Sequence, residues 1–144
     1  MPQSNKTAAL GWRRQLMTYL LWIIQILLAL LFLFTGGLKL VIPADKLTAM
    51  NAQNQVQMSV LFLRFIGAME ILGALGLILP GLMRIKPGLT PLAAACLVVI
   101  MIGATVVTLA NGTIGPAIFP FVAGLLAALV AYGRWRLAPQ AGRR

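Results

Sequence analysis

Two carboxyl groups, Asp45 and Glu70, face twelve lysines and arginines in this chain, which has no histidine. Glu70 stands in the middle of "RFIGAMEILGALGLILPG", residues 64–81, a stretch otherwise built for lipid. A carboxylate turned toward acyl chains at mid-membrane costs about 2.5–3.5 kcal/mol on insertion scales. Glu70 is therefore expected on a face that meets other helices. There it has two roles open to it: a buried polar network that fixes how helices pair, or a ligand or proton site. Tolerated exposure to lipid is the third reading, and the one its cost opposes. The helical wheel favours the inward face. At about 100° per residue, Leu63, Ile66, Gly67, Gly73, Ala74 and Leu77 fall within about 60° of Glu70. Three of those six are small, as close helix contact in lipid requires.

The side chains that could satisfy Glu70 are few. Arg64 is six residues earlier and about 120° round the same helix, which makes pairing within that helix awkward. Lys39, at the end of the first apolar run, has a long stem that reaches inward or snorkels outward. Gln25 in the same run has an amide to offer, and Thr105 and Thr108 lie in the third run. We expect an intramembrane polar cluster of Glu70, Arg64, Lys39 and Gln25, biased toward the side where Lys39 lies.

Other chemistries lack their residues. Cys96 is the single cysteine, so there is no internal disulfide and no CxxC pair. Without histidine or clustered cysteine, a haem, zinc or iron–sulfur centre has few ligands. We expect no metal and no catalytic residue, and no cofactor unless a loosely held quinone. An enzyme with its own turnover would need a nucleophile with its base or paired acid–base groups, and none is legible. Cys96 reads as a small buried hydrophobe.

These residues sit on elements that composition dictates. The chain is 60% hydrophobic and 10% charged, with a mean hydropathy of +0.94. A soluble domain is about 25% charged. The fold class is all-α, a single integral membrane domain over residues 1–144. Each span needs about 20 residues. Four runs qualify, at about 16–38, 60–79, 91–110 and 116–133. The first exceeds the 7–15 residues typical of a signal core, so it reads as a retained span. Pro80-Gly81 ends the second, Thr90 caps the third with Pro91 in its first turn, and Asn111-Gly112 marks a turn. Pro120 kinks the fourth or marks its start. A small-residue stripe in the third span, with Cys96, Gly103, Ala104 and Val107, is expected to pack on the second, whose own helix-contact face carries Gly67, Gly73 and Ala74. The segment between the first two spans, 41–59, reads equally as a polar loop or a short interfacial helix. Residues 1–12 and 137–144 read as flexible tails.

Charge then orients the bundle. Nine of the twelve basic residues flank the spans on one side: Lys6, Arg13, Arg14, Arg84, Lys86, Arg134, Arg136, Arg143 and Arg144. Lys39 and Lys46 flank the other. The positive-inside rule puts both termini in the cytoplasm, with Trp12, Tyr19, Tyr132 and Trp135 as interfacial anchors. The basic residues stand beside span ends rather than in one patch, which argues for topology and lipid headgroups and against nucleic acid. Trp22 reads as an aromatic facing lipid or the interface.

Four stretches in this order, "FLFTGGLKL" at 32–40, "RFIGAMEILGALGLILP" at 64–80, "LTPLAAACLVVIMIGA" at 89–104 and "AYGRWR" at 131–136, resemble the DoxX-like family of small bacterial membrane proteins. The resemblance covers most of the chain apart from its tails. It implies a four-helix bundle in the bacterial inner membrane. Some members of that family are named for a subunit of a thiosulfate–quinone oxidoreductase, and others join membrane redox-stress complexes. The resemblance thus implies a non-catalytic accessory or assembly subunit, redox- or quinone-linked. The rival is a small-molecule or quinone-binding protein, or proton-coupled carrier, using Glu70 with Lys39 and Arg64. Partners expected are the lipid bilayer and either a membrane protein or a second copy. Many members carry a histidine after the Gly-Ala of span three. Here that region reads "GATVVTLANG", with Thr108 about where it would fall, so only Lys39, Arg64 and Glu70 carry over.

Overall fold

The computed structural model describes residues 3–51, 55–86 and 88–137. Its helices are α1 (Gln3–Val41), α2 (Ala44–Asn51), α3 (Val60–Met83), α4 (Leu89–Ala110) and α5 (Ile114–Tyr132), the last closed by a π-helical turn, Gly133–Leu137. Four of these elements are long and apolar enough to cross a membrane. They form a ring: α1 packs on α3, α3 on α4, α4 on α5, and α5 returns to α1. The four-span all-helical architecture expected from composition is the one observed.

The boundaries differ in instructive places. Helix α1 has 39 residues. At 1.5 Å per residue it is about 58 Å long, roughly twice the hydrocarbon thickness. Residues 3–12, expected as a tail, are its first turns. Of the expected tail 137–144, Leu137 ends the π-helical turn and the rest lies outside the described residues. Within 41–59 a short helix, α2, forms and buries Leu47.

Helix α3 starts at a serine cap, the Ser59 hydroxyl accepting from the Phe62 N–H at 3.2 Å. It runs through Pro80 to Met83 rather than ending at Pro80-Gly81. The stop is made by Arg84, whose φ of 52° is left-handed, while the Ile85 N–H donates to the Pro80 carbonyl. Helix α4 begins at Leu89 after Gly88, so Thr90 is inside the first turn and fully buried rather than capping it. Pro91 is tolerated there because first-turn N–H groups have no helical acceptor. Helix α5 starts at Ile114, with Pro120 buried in its interior.

The core joins Leu28, Phe32, Leu77, Leu97, Met101 and Val130 with Ala74, Ala94, Ala123 and Ala127. Alanine and glycine set the helix spacing. At the α1–α3 crossing a Cβ on Gly36 would lie 2.6 Å from the Gly67 carbonyl oxygen, and one on Gly67 2.9 Å from that of Gly36. Only backbones without side chains approach so closely. Gly73 abuts Leu97, and Gly76 abuts Ala93, joining α3 to α4. Ala74 is in the core and Ala104 packs against its edge. Gly103 does not pack: a Cβ there meets nothing within 4 Å. Cys96 is exposed rather than buried. The buried stripe of α4 is Thr90, Pro91, Ala94, Leu97 and Met101, and Cys96 lies one residue off it.

Candidate intramembrane binding site

Helices α1 and α3 run antiparallel. Lys39, near the end of α1, therefore meets Glu70, and Gln25, one-third of the helix back, meets Leu77. The Gly36–Gly67 crossing lies beside the first of these levels, with Lys39 and Glu70 each three residues further along its own helix. Backbone contact at the glycines is what brings the two charged side chains together.

The Lys39 ammonium is 2.7 Å from both Oε1 and Oε2 of Glu70. The Thr35 hydroxyl, one turn before Lys39, donates to Oε2 at 3.4 Å. Glu70 is 3% exposed and Lys39 30%. A carboxylate in a low-dielectric site needs such a partner, because removing two charges from water is repaid only by good geometry. Lys39 has one N–H left to donate beyond this pair.

Both side chains line a cleft of about 470 Å³ between α3 and α4. Phe62, Phe65, Ile66 and Val107 supply apolar wall, and Thr108 and Asn111 stand at the end near Val56 and Met58. Gly103 and Ala104 lie on the α4 side, where the missing side chain of Gly103 leaves the space open. The Asn111 side-chain oxygen accepts from the Val56 N–H at 2.7 Å, tying the 55–59 segment to the cleft rim. An apolar slot with a few convergent polar groups is the usual form of a small-molecule site.

Of the four residues expected to cluster, the structure joins two. Lys39 and Glu70 meet. Arg64 is half-buried, and among the described residues its Nε–H has no hydrogen-bond partner. Its place about 120° round α3 from Glu70 keeps it off the pair. Gln25 is fully buried but belongs elsewhere. Its amide N–H donates to the Leu77 carbonyl, and its oxygen accepts from Arg134 Nε. The Thr105 and Thr108 hydroxyls donate to the carbonyls of Met101 and Ala104 in their own helix and not to Glu70.

Three participants were not foreseen. Thr35 lies four residues before Lys39, so the spacing alone puts it on the same face. Arg134 reads from sequence as one more flanking cation, yet it is 2% exposed. Its guanidinium carbon is 5.3 Å from the Trp22 ring centroid, a cation–π contact that turns Trp22 inward from its expected lipid-facing role. The π-helical turn that carries Arg134 packs against α1, with Gly133 against Leu21. Nothing in the sequence separates Arg134 from Arg136, two residues on and exposed.

No curated protein and no solved structure matches the chain. The DoxX-like family model matches residues 23–130, from the middle of α1 to the end of α5, and so takes in the Lys39–Glu70 pair, the cleft and Gln25. The chain belongs to the DoxX-like family.

Proposed function

We propose that this multi-pass membrane protein binds a small amphipathic molecule in the α3–α4 cleft, polar head toward Lys39 and Glu70. The observation that carries the reading is the partly exposed Lys39 ammonium, paired to a buried carboxylate yet lining an apolar slot. A head group with a carbonyl or hydroxyl accepts from Lys39, while the tail lies along Phe62, Phe65 and Val107. A quinone ring fits that description, with one carbonyl toward Lys39. Charge segregation supports a bacterial inner-membrane protein with both termini cytoplasmic. Arg13, Arg14, Arg84 and Arg136 mark the end reached by the start of α1, and Lys39 and Lys46 the opposite half.

The test is a binding titration with decylubiquinone on protein in detergent micelles, comparing wild type with Gly103→Leu and Glu70→Gln. Gly103 lines the cleft and a Cβ there meets nothing within 4 Å, so the leucine of Gly103→Leu is directed into the slot. It should weaken binding at least about tenfold, as a steric block of the slot requires. Unchanged affinity in that variant removes the cleft reading.

A second reading, an accessory or assembly subunit of a membrane complex, is favoured by a separate shallow groove. It lies between the other halves of α3 and α4, has a volume of about 430 Å³, and is lined by Leu72, Gly76, Leu79, Leu92, Ala93 and Cys96. Small residues at an apolar face accept a helix from a partner or a second copy. Maleimide crosslinking from Cys96 in native membranes tests it, and recovery of uncrosslinked chain alone counts against it.

A further inference from the structure

The first turns of α1 frame a groove that the cleft does not use. Leu10, Gly11, Arg13, Arg14 and Met17 face Leu137 of the π-helical turn across a volume of about 470 Å³. Antiparallel packing makes the charge at this end one-sided. The ends of α3 and α5 lie beside the first half of α1, so Arg84, Lys86 and Arg136 join Lys6, Arg13 and Arg14 here. Both acidic residues of the chain belong to the opposite half: Asp45 is in the first turn of α2, and Glu70 pairs with Lys39.

Depth places the groove at the membrane boundary. The apolar run of α1 starts at Leu16, and Arg13 and Arg14 lie within one turn of it. Trp12, next to Arg13, and Trp135, two residues before Leu137, are both exposed, as interfacial aromatics are. Guanidinium groups grip phosphate oxygens in a two-point fork that ammonium groups cannot copy. We propose that this groove binds an anionic phospholipid, its phosphodiester held by Arg13 and Arg14 and an acyl chain laid against Leu10, Met17 and Leu137. The apolar walls are what select a lipid over free phosphate. Buried Arg134, carried on the same turn as Leu137, adds a positive field that water screens poorly.

Tryptophan quenching tests this, because Trp12 adjoins the arginines. Full-length protein is reconstituted in vesicles containing dibrominated phosphatidylglycerol or dibrominated phosphatidylcholine. Wild type should be quenched more strongly by the glycerol lipid. The Arg13→Gln/Arg14→Gln variant should lose that preference, by about fivefold per arginine. Lys46→Gln, at the other end, should keep it. Equal quenching of wild type by both lipids overturns the proposal, as does a preference that survives the double substitution or vanishes with Lys46→Gln. Both arginines are exposed, and circular dichroism of the variant checks that its helices are intact.

Discussion

On one level of the bundle Glu70 meets Lys39 at the edge of an open cleft; on another Gln25 sits between the Leu77 carbonyl and a guanidinium shielded from solvent. The first site is a neutral ion pair with one partner 30% exposed. The second holds a cation against an amide and an aromatic face, with Gln25 and Arg134 each at most 2% exposed. The first has a neighbouring volume for a ligand. The second is packed between α1, α3 and the π-helical turn, and its hydrogen bonds join three elements that are distant in sequence. The difference separates two uses of polarity in lipid. A closed centre returns its desolvation cost as a unique helix arrangement, whereas an open one keeps donors for another molecule.

Substitutions sharpen that contrast, beginning where the effect is greatest. Gln25→Leu removes the amide from a buried guanidinium and should destabilise the fold by about 3 kcal/mol, read from unfolding in mixed micelles. A double-mutant cycle with Arg134→Met should show coupling above about 1 kcal/mol. Additive losses would mean that the two side chains act separately. Next comes Gly36→Val, which pushes α1 from α3 where their backbones touch. A cost of about 2 kcal/mol is expected, with decylubiquinone binding weakened because Lys39 and Glu70 move apart. Stability lost with binding intact would detach the crossing from the site.

Glu70→Gln keeps shape and hydrogen-bonding capacity. Because Lys39 reaches the exposed side of the cleft, stability should fall by only about 1 kcal/mol while binding falls much further. A loss as large as that of Gln25→Leu would make the open centre structural too and erase the contrast. The smallest change in stability belongs to Gly103→Leu, within about 0.5 kcal/mol, since a Cβ there meets nothing within 4 Å and the rest of the leucine is directed into the cleft. A loss of several kcal/mol would show that the cleft closes in the folded protein.

Much of this was readable in the residues. The lengths of the apolar runs forecast four spans, and the wheel around Glu70 placed Gly67, Gly73, Ala74 and Leu77 on its face, all of them buried. Both follow from periodicities that a helix imposes whatever its neighbours. The small-residue stripe of α4 packs at Ala104 but not at Gly103 or Cys96, because a small residue marks a packing face and an empty slot alike. Gly103 faces open space, whereas Gly76 is in contact with Ala93. The proline at 80 suggested a helix end, yet the left-handed Arg84 makes the stop, a backbone state that an arginine's identity does not advertise.

The sequence by itself determined that the chain is helical, that four segments suit a membrane, and that Glu70 turns from lipid, because each rests on local composition and the cost of an exposed carboxylate. Tertiary structure alone decided which polar groups meet. The Gly36–Gly67 contact sets how deep each side chain of α1 lies against α3, and that register gives Lys39 to Glu70 and Gln25 to Leu77. Pairing across helices depends on relative sliding and rotation, quantities fixed by the packing of whole faces and not by the spacing of residues along any one of them.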